Sequence, residues 1–256
     1  MLLVIDVGNT NTVLGVYQDK DLIGHWRLET KPRQTADEYG ILSRNLFALA
    51  NIESSKIHDI VIASVVPPLN PVLEQMALQY FKLKPLFVEP GIKTGIAVLY
   101  EPPTDVGADR IVNAVAVYEK YGGPAIVVDF GTATTFDAIS SKGEYLGGVI
   151  APGPGISSEA LFTRTARLPR VEIKPPAKII GTSTIGSIQS GLYFGYIGLV
   201  DGILERMIAE LGQKTVVIAT GGHSSMIGSA THLIQHIDAD LTMEGLRLIY
   251  EKNRLR

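Results

Sequence analysis

The chain opens on an almost continuous apolar run, Leu2 to Val7, broken only by Asp6, and two further runs, Thr12 to Tyr17 and Leu22 to Glu29, follow across the polar turn Gln18 to Asp21. Short apolar runs bounded by turn residues predict three strands, the last two a hairpin. Thr35, with Glu38 three residues on, has the capping-box pattern, so a helix is expected to start there with its apolar face running through Leu42, Leu46 and Leu49. Ile57 to Ser64 reads as a buried strand. Pro67 and Pro68 break the chain, Pro71 suits the first turn of a helix reaching Phe81, and Pro85 to Val88 returns as a strand.

From Asp105 the pattern changes. Gly107 to Arg110 leads into a helix whose apolar positions Ile111, Val115 and Tyr118 recur at helical spacing. The run Ala125 to Val128 then ends in Asp129, Phe130 and Gly131, an alternating stretch reaches Ile139, and a turn at Ser141 to Gly143 precedes a strand at Tyr145 to Val149. This repeats the opening: Val4 to Tyr17, VIDVGNTNTVLGVY, and Val127 to Ser140, VVDFGTATTFDAIS, share a buried strand, Asp-x-Gly, small hydroxylated residues and a second strand. Beyond the loop Ala151 to Ser157 come a helix around Ser158 to Ala166, a long helix from Ile185 to Leu211, and a strand Thr215 to Ala219 opening on Thr220-Gly221-Gly222. Two related α/β lobes, 1–104 and 105–256, are expected.

Composition narrows the class. The 256 residues are 46% hydrophobic and 19% charged, a globular balance with no stretch too polar to fold. The length suits one large domain or two modest ones. With 23 Lys and Arg against 26 Asp and Glu, and no basic run, nucleic acid is not an expected partner. The absence of cysteine excludes disulfides, thiolate nucleophiles and Cys-based zinc sites, and a cytoplasmic location is expected. The N-terminus lacks a basic n-region and meets Asp6 too early for an export signal, and every apolar run falls short of the ~18 residues of a spanning helix, so no membrane partner is expected.

Each Asp-x-Gly turn puts a carboxylate at the end of a buried strand beside a glycine and short hydroxylated residues. Glycine lets a phosphate approach the backbone, whose amides and neighbouring hydroxyls donate to its oxygens, while the carboxylate suits a hard cation. One such turn is an ordinary hairpin; two in the same strand context point to nucleotide binding. Asp6 to Thr10, Asp129 to Thr135 and Thr220 to Gly222 together resemble the two phosphate motifs and the adenosine motif of the actin, sugar kinase and Hsp70 superfamily. That resemblance implies two lobes of the actin-like ATPase (ribonuclease H-like) type with ATP in the cleft between them.

A second set, Gly107 to Arg110 (GADR) with Tyr100 and the loop around Thr184, resembles the substrate site of type III pantothenate kinases, and the similarity runs in order over nearly the whole chain. It implies ATP-dependent phosphorylation of pantothenate to 4'-phosphopantothenate, the first step of coenzyme A biosynthesis. By the same resemblance Asp109 is the base, and Tyr100, Gly107, Ala108, Asp109, Arg110 and Thr184 bind substrate. Asp6, Val7, Gly8, Asn9, Thr10, Asn11, Thr12, Val13 and Thr132 bind ATP, Asp129 holds a monovalent cation (potassium or ammonium), and Asp6 serves Mg2+ at the phosphate site. A homodimer is also implied, with the long helix as candidate interface.

Taken on its own chemistry, Asp109-Arg110 also fits a solvated helix start in which the acid meets the helix dipole, Tyr100 a packing residue, and Thr184 the N-cap of the long helix. His232 and His236 lie four apart but lack the Glu and third ligand of a zinc site. Gly181 to Gly186 has Walker glycine spacing with Ser187 where lysine is needed, and the Gly-Pro-Gly at Gly153 lacks dinucleotide spacing and reads as a rigid connecting loop. Two rivals stand beside the kinase: a superfamily enzyme acting on another small substrate, and a non-catalytic accessory factor in transcriptional activation.

Overall fold

The structure is a computed structural model that describes residues 1–212 and 214–254. The chain forms two compact units, Met1–Ala116 joined by the segment from Leu241, and Val117–Asp240. The expected change of lobe lay at 104/105; the two units divide inside a helix, and the last helix belongs to the first unit.

In the first unit β1 (Leu2–Val7), β2 (Asn11–Gln18), β3 (Asp21–Glu29), α1 (Ala36–Leu49), β4 (Asp59–Ser64), α2 (Asn70–Met76), β5 (Leu86–Phe87) and β6 (Ala97–Val98) lead to the start of α3 (Ala108–Tyr121). Its sheet runs β3-β2-β1-β4-β5, with β1 antiparallel to β2 and parallel to β4. The apolar run of β1 is explained by burial on both faces. Leu3, Ile5 and Val7 pack with Tyr39 and Phe47 of α1 and with Leu73 and Met76 of α2. Leu2 and Val4 pack on the other side with Val112 and Val115 of α3 and with residues Met243, Leu246 and Ile249.

The second unit holds β7 (Ala125–Phe130), β8 (Ala133–Ile139), β9 (Glu144–Pro152), α4 (Pro154–Thr163), α5 (Thr184–Leu211), β10 (Val216–Thr220) and β11 (His236–Ile237); α6 (Leu241–Asn253) then carries the three core residues just named. Its strands run β9-β8-β7-β10-β11, with β7 antiparallel to β8 and parallel to β10. This is the order of the first sheet, element for element, and Asp6 and Asp129 are each the fifth residue of the central strand. Ile126, Val128 and Phe130 pack under α5 through Ile188, Leu192, Tyr196, Val200 and Leu204, a strict helical stripe.

Four local expectations are corrected. The capping box at Thr35 is present, Glu38 N donating to Thr35 Oγ1 at 3.3 Å and Thr35 N to Glu38 Oε2 at 2.7 Å. The buried face of α1 is nonetheless Tyr39, Ser43 and Phe47; Leu42 and Leu49 stand 40% and 83% exposed. The helix opened by Pro71 is α-helical only to Met76 and widens into a π turn over Ala77–Phe81. The presumed loop Ala151 to Ser157 is the end of β9 and the first turn of α4, which starts at Pro154 and stops at Thr163. The N-cap of α5 is Ser183, whose Oγ accepts from Gly186 N at 3.1 Å; Thr184 is the first helical residue.

Candidate active site

The first Asp-x-Gly turn is tight because Gly8 N donates to Asn11 O at 3.0 Å, and Thr10 O accepts from Thr30 N at 2.9 Å. Asp6 lies on β1 opposite Val13 and beside Ala63 of β4, with Val7 the last strand residue. Asn9 and Thr10 are exposed at the tip, Gly8 and Asn11 half-buried. Thr12 points inward: its hydroxyl lies 2.9 Å from Thr30 Oγ1 and 3.4 Å from Tyr39 OH, and Val13 is in the core. The turn therefore places the Asp6 carboxylate at the strand end and the exposed Asn9 and Thr10 at its tip, while Thr12 braces it from below.

The second turn is built more closely. Asp129 lies on β7 between Thr135 of β8 and Thr220 of β10, and Thr132 is exposed at the tip. Gly221 has φ +89°, and a Cβ there would stand 2.4 Å from Asp129 Oδ1 and 2.7 Å from the Phe130 backbone, so only glycine lets the Thr220-Gly221-Gly222 turn lie against this carboxylate. Gly153 packs from the other side, its N donating to Thr132 O at 3.1 Å; a Cβ would meet that oxygen at 2.2 Å. Behind it Ser157 Oγ lies 2.5 Å from Tyr196 OH, which donates to Pro152 O at 2.7 Å. His223, following the motif, hydrogen-bonds the Phe130 backbone, and burial pushes its imidazole below the ordinary histidine value despite that bond. A carboxylate oxygen at the end of a strand, flanked on the neighbouring strands by Thr135 and Thr220, is of the ligand type that suits a hard cation. Among the described residues no cluster of three or more His, Cys, Asp or Glu forms a metal centre on its own, so a cation there would complete its shell with backbone, water or phosphate oxygens.

Asp109 stands in the first turn of α3. Its Oδ1 accepts from Arg110 N at 2.8 Å, and Gly107 O receives Arg110 N at 3.1 Å and Ile111 N at 3.3 Å. A Cβ on Gly107 would lie 2.6 Å from Asp109 Oδ1, so the glycine leaves room for the carboxylate to fold back over the helix start. Burial pushes the Asp109 carboxyl above its ordinary value, against the pull of the Arg110 amide and guanidinium. Arg110 itself is buried, at 8% exposure, unlike the solvated helix start that charge pattern alone allows.

Gly107 and Ala108 line a cavity of about 620 Å³ that also involves Ser64, Val65, Asn70 and Glu89. Tyr100 is half-buried between β6 and α3 and is not among that cavity's lining residues. In the second unit Thr184 lines an open groove of about 950 Å³ with Ser157, Thr182, Ser187, Gly191 and Leu192. Because Ser183 provides the cap, the Thr184 hydroxyl is not spent on the helix end. The cavity wall at Asn70 and Glu89, the brace Gly153–Tyr196 and His223 were missed by the sequence reading. The Gly-Pro-Gly and the histidine directly after Gly-Gly were the available signals.

The family model described as Type III pantothenate kinase matches residues 2–206. Among curated relatives, the type III pantothenate kinase of Koribacter versatilis (strain Ellin345) is 60% identical, over 99% of this chain and 96% of its own. That of Myxococcus xanthus (strain DK1622) is 56% identical over 99% of both chains. Among solved structures, a putative Baf family transcriptional activator from Campylobacter jejuni aligns with TM-score 0.58 at 21% identity over 98% of both chains. A putative 2-dehydro-3-deoxygalactonokinase from Sinorhizobium meliloti also gives 0.58, at 10% identity over 98% of this chain and 96% of its own. At such identities these two likenesses speak for the fold alone, the two-lobed α/β fold expected from the repeated Asp-x-Gly strands.

Proposed function

Because the chain belongs to the type III pantothenate kinase family, which uses ATP to phosphorylate pantothenate in coenzyme A biosynthesis, we propose that Asp109 serves as the base of that reaction and that the two Asp-x-Gly turns hold the nucleotide. The observation that carries the assignment of Asp109 is its geometry: a carboxylate folded over Gly107, partly withdrawn from water and hydrogen-bonded to Arg110 N.

The acceptor hydroxyl of pantothenate loses its proton as its oxygen attacks the γ-phosphorus, giving ADP and 4'-phosphopantothenate. A carboxylate is too weak to ionise an alcohol beforehand, so Asp109 orients the hydroxyl and takes the proton as the new bond forms. Its raised pKa strengthens it as an acceptor. Arg110 pairs with the substrate carboxylate, a charge-assisted contact that fixes the far end of the molecule. Tyr100 and Thr184 are each assigned a substrate contact by the resemblance to the family. Alignment and charge neutralisation supply most of the acceleration in phosphoryl transfer, and here they fall to the amides around Gly8 and Thr132, to Asn9 and Thr10, and to the adenosine motif at Gly221.

Asp6 suits a Mg2+ carried in with the nucleotide, and Asp129 a monovalent cation, potassium or ammonium; when bound, each neutralises phosphate charge. The proposal extends to a cytoplasmic location, with which a chain without cysteine is in keeping. Among the described residues no helix is long and apolar enough to cross a membrane. A homodimer is supported by the outer face of α5, where Gly191, Gly195 and Gly198 each leave open space for a second backbone to approach. The cation assignment is tested by following phosphoryl transfer against potassium concentration in wild type and Asp129→Asn. Potassium activation in the wild type, lost in the variant while magnesium dependence persists, is expected; equal activation in both would remove Asp129 from the cation site.

A further inference from the structure

The two sheets share one strand order, so a residue of one can be set beside its counterpart in the other. On β1, Asp6 stands beside Ala63 of β4; on β7, Asp129 stands beside Thr220 of β10. Val7 therefore corresponds to Phe130, Ser64 to Gly221 and Val65 to Gly222. In the first unit the ladder runs one residue further, Val7 beside Ser64, and Val7 O receives Val65 N at 3.0 Å. In the second unit β10 ends at Thr220, the chain turns away at Gly221 with φ +89°, and among the described residues Gly222 N makes no such bond to Phe130 O. A carbonyl at the root of the second Asp-x-Gly turn has thus lost its main-chain donor, on a residue that is fully buried. Buried carbonyls are nearly always paired, so another donor is called for.

That donor is the imidazole of His223. The hydrogen bond between the ring and the Phe130 backbone acts to raise the histidine pKa, which makes the ring the donor and the carbonyl the acceptor, because donation favours the protonated ring. The ring is presented from a fixed backbone. Ser224 N and Oγ donate to Gly221 O at 3.2 and 2.7 Å, and His223 O receives the amide of the core residue Ile227 at 3.0 Å. Gly221 lies on the same stretch of β7, where a Cβ would stand 2.7 Å from both Phe130 N and Phe130 C. The Thr220-Gly221-Gly222 turn is thereby tied to the Asp129-Phe130-Gly131 turn by close packing and by one side-chain hydrogen bond.

We propose that His223 is a positioning residue for the nucleotide: its ring N–H stands in for the main-chain donor that Val65 supplies in the first unit, holds the Phe130 carbonyl, and so sets the backbone of Gly131 and Thr132 against the Thr220-Gly221-Gly222 turn. The inference rests on the reading that these turns hold the nucleotide, and adds a residue to it. The tie at the first turn is main chain and does not depend on a side chain, whereas the tie at the second is undone by one substitution. Losing a hydrogen bond of this kind weakens the binding it supports by about tenfold.

The test compares wild type with His223→Leu, which has no donor, and with His223→Asn and His223→Gln, whose amides offer an N–H near the places of the two ring nitrogens. ADP affinity is measured by calorimetric titration, and KM for ATP and for pantothenate by steady-state kinetics. In His223→Leu, ADP affinity is expected to fall about tenfold and the ATP KM to rise with it, while the pantothenate KM moves by less than about twofold; at least one amide variant is expected to recover most of the loss. Wild-type ADP affinity in His223→Leu, or a loss as large in both amide variants as in His223→Leu, overturns the role of the ring N–H and leaves the nucleotide reading intact. If His223→Leu does not fold, the amide variants decide: near wild-type affinity in either supports the proposal, and weakened affinity in both overturns it. A wild type that binds no ADP overturns the nucleotide reading itself, before any variant is compared.

Discussion

Asp109 shows most sharply how one residue trades stability for chemistry. Burial raises its carboxyl pKa above the unfolded value, so the folded state binds the proton more tightly than the unfolded chain does. Its contribution to stability is therefore full below the unfolded pKa and is lost as pH rises through the folded one. Asp109→Asn should lower kcat by ~10²–10⁴, yet at neutral pH melt no lower than wild type, the difference fading in acid. Calorimetry across pH checks this, and a neutral-pH drop in melting temperature would mean that the ionised carboxylate holds the fold together. The acid limb of kcat/KM should also lie above the ordinary carboxylate range in the wild type. Gly221 works the other way: Gly221→Ala sets a Cβ against Asp129 at positive φ, and should cost at least ~1 kcal/mol by denaturant unfolding together with most nucleotide affinity. The sequence made the carboxylates and their glycines legible because Asp-x-Gly needs only local backbone. It did not reveal the cavity beside Gly107 and Ala108, which is assembled from segments far apart in the chain.

At the scale of elements, caps and helix starts decide which hydroxyls remain free. Ser183 caps α5, so Ser183→Ala should lower stability by ~1 kcal/mol with little change in pantothenate KM. Thr184→Val should raise that KM several-fold without a matching loss of stability. Chemical denaturation and steady-state kinetics on the two variants separate these outcomes, and a KM effect confined to Ser183→Ala would reverse the assignment. Adjacent Ser and Thr gave no means of choosing between them, since either fits an N-cap. The buried face of α1 was misread for a related reason: apolar residues occur on both sides of that helix, and periodicity alone cannot tell which side meets the sheet. Tyr39, Ser43 and Phe47 do so, with Phe47 fully buried against Trp26, their ring centroids 5.2 Å apart. The α4 start at Pro154 was legible in principle, because proline favours the first helical turn. Reading the Gly-Pro-Gly as a loop hid its second role, the packing of Gly153 on the Thr132 turn.

The molecule as a whole is a duplicated sheet order carrying two Asp-x-Gly turns, and the repeat in the sequence predicted this well because identical strand orders demand similar apolar runs. Division of the chain was harder to read: α6 returns to the first unit, where Met243, Leu246 and Ile249 complete one face of its core, and a long-range return leaves no local signal. Oligomeric state belongs to this scale too. Gly195 has no atom within 4 Å of where its Cβ would stand, so Gly195→Leu should leave the folded chain intact. In a dimer packed along α5 it should also shift sedimentation to the monomer; a dimer unaffected by it would place the interface elsewhere. The central claim is tested most directly by phosphate transfer from labelled ATP to pantothenate, with and without potassium, beside folded Asp109→Asn. Potassium-dependent formation of 4'-phosphopantothenate that largely disappears in the variant is the predicted result. Undiminished transfer by Asp109→Asn, or ATP binding by the wild type with no product under any condition, would contradict it.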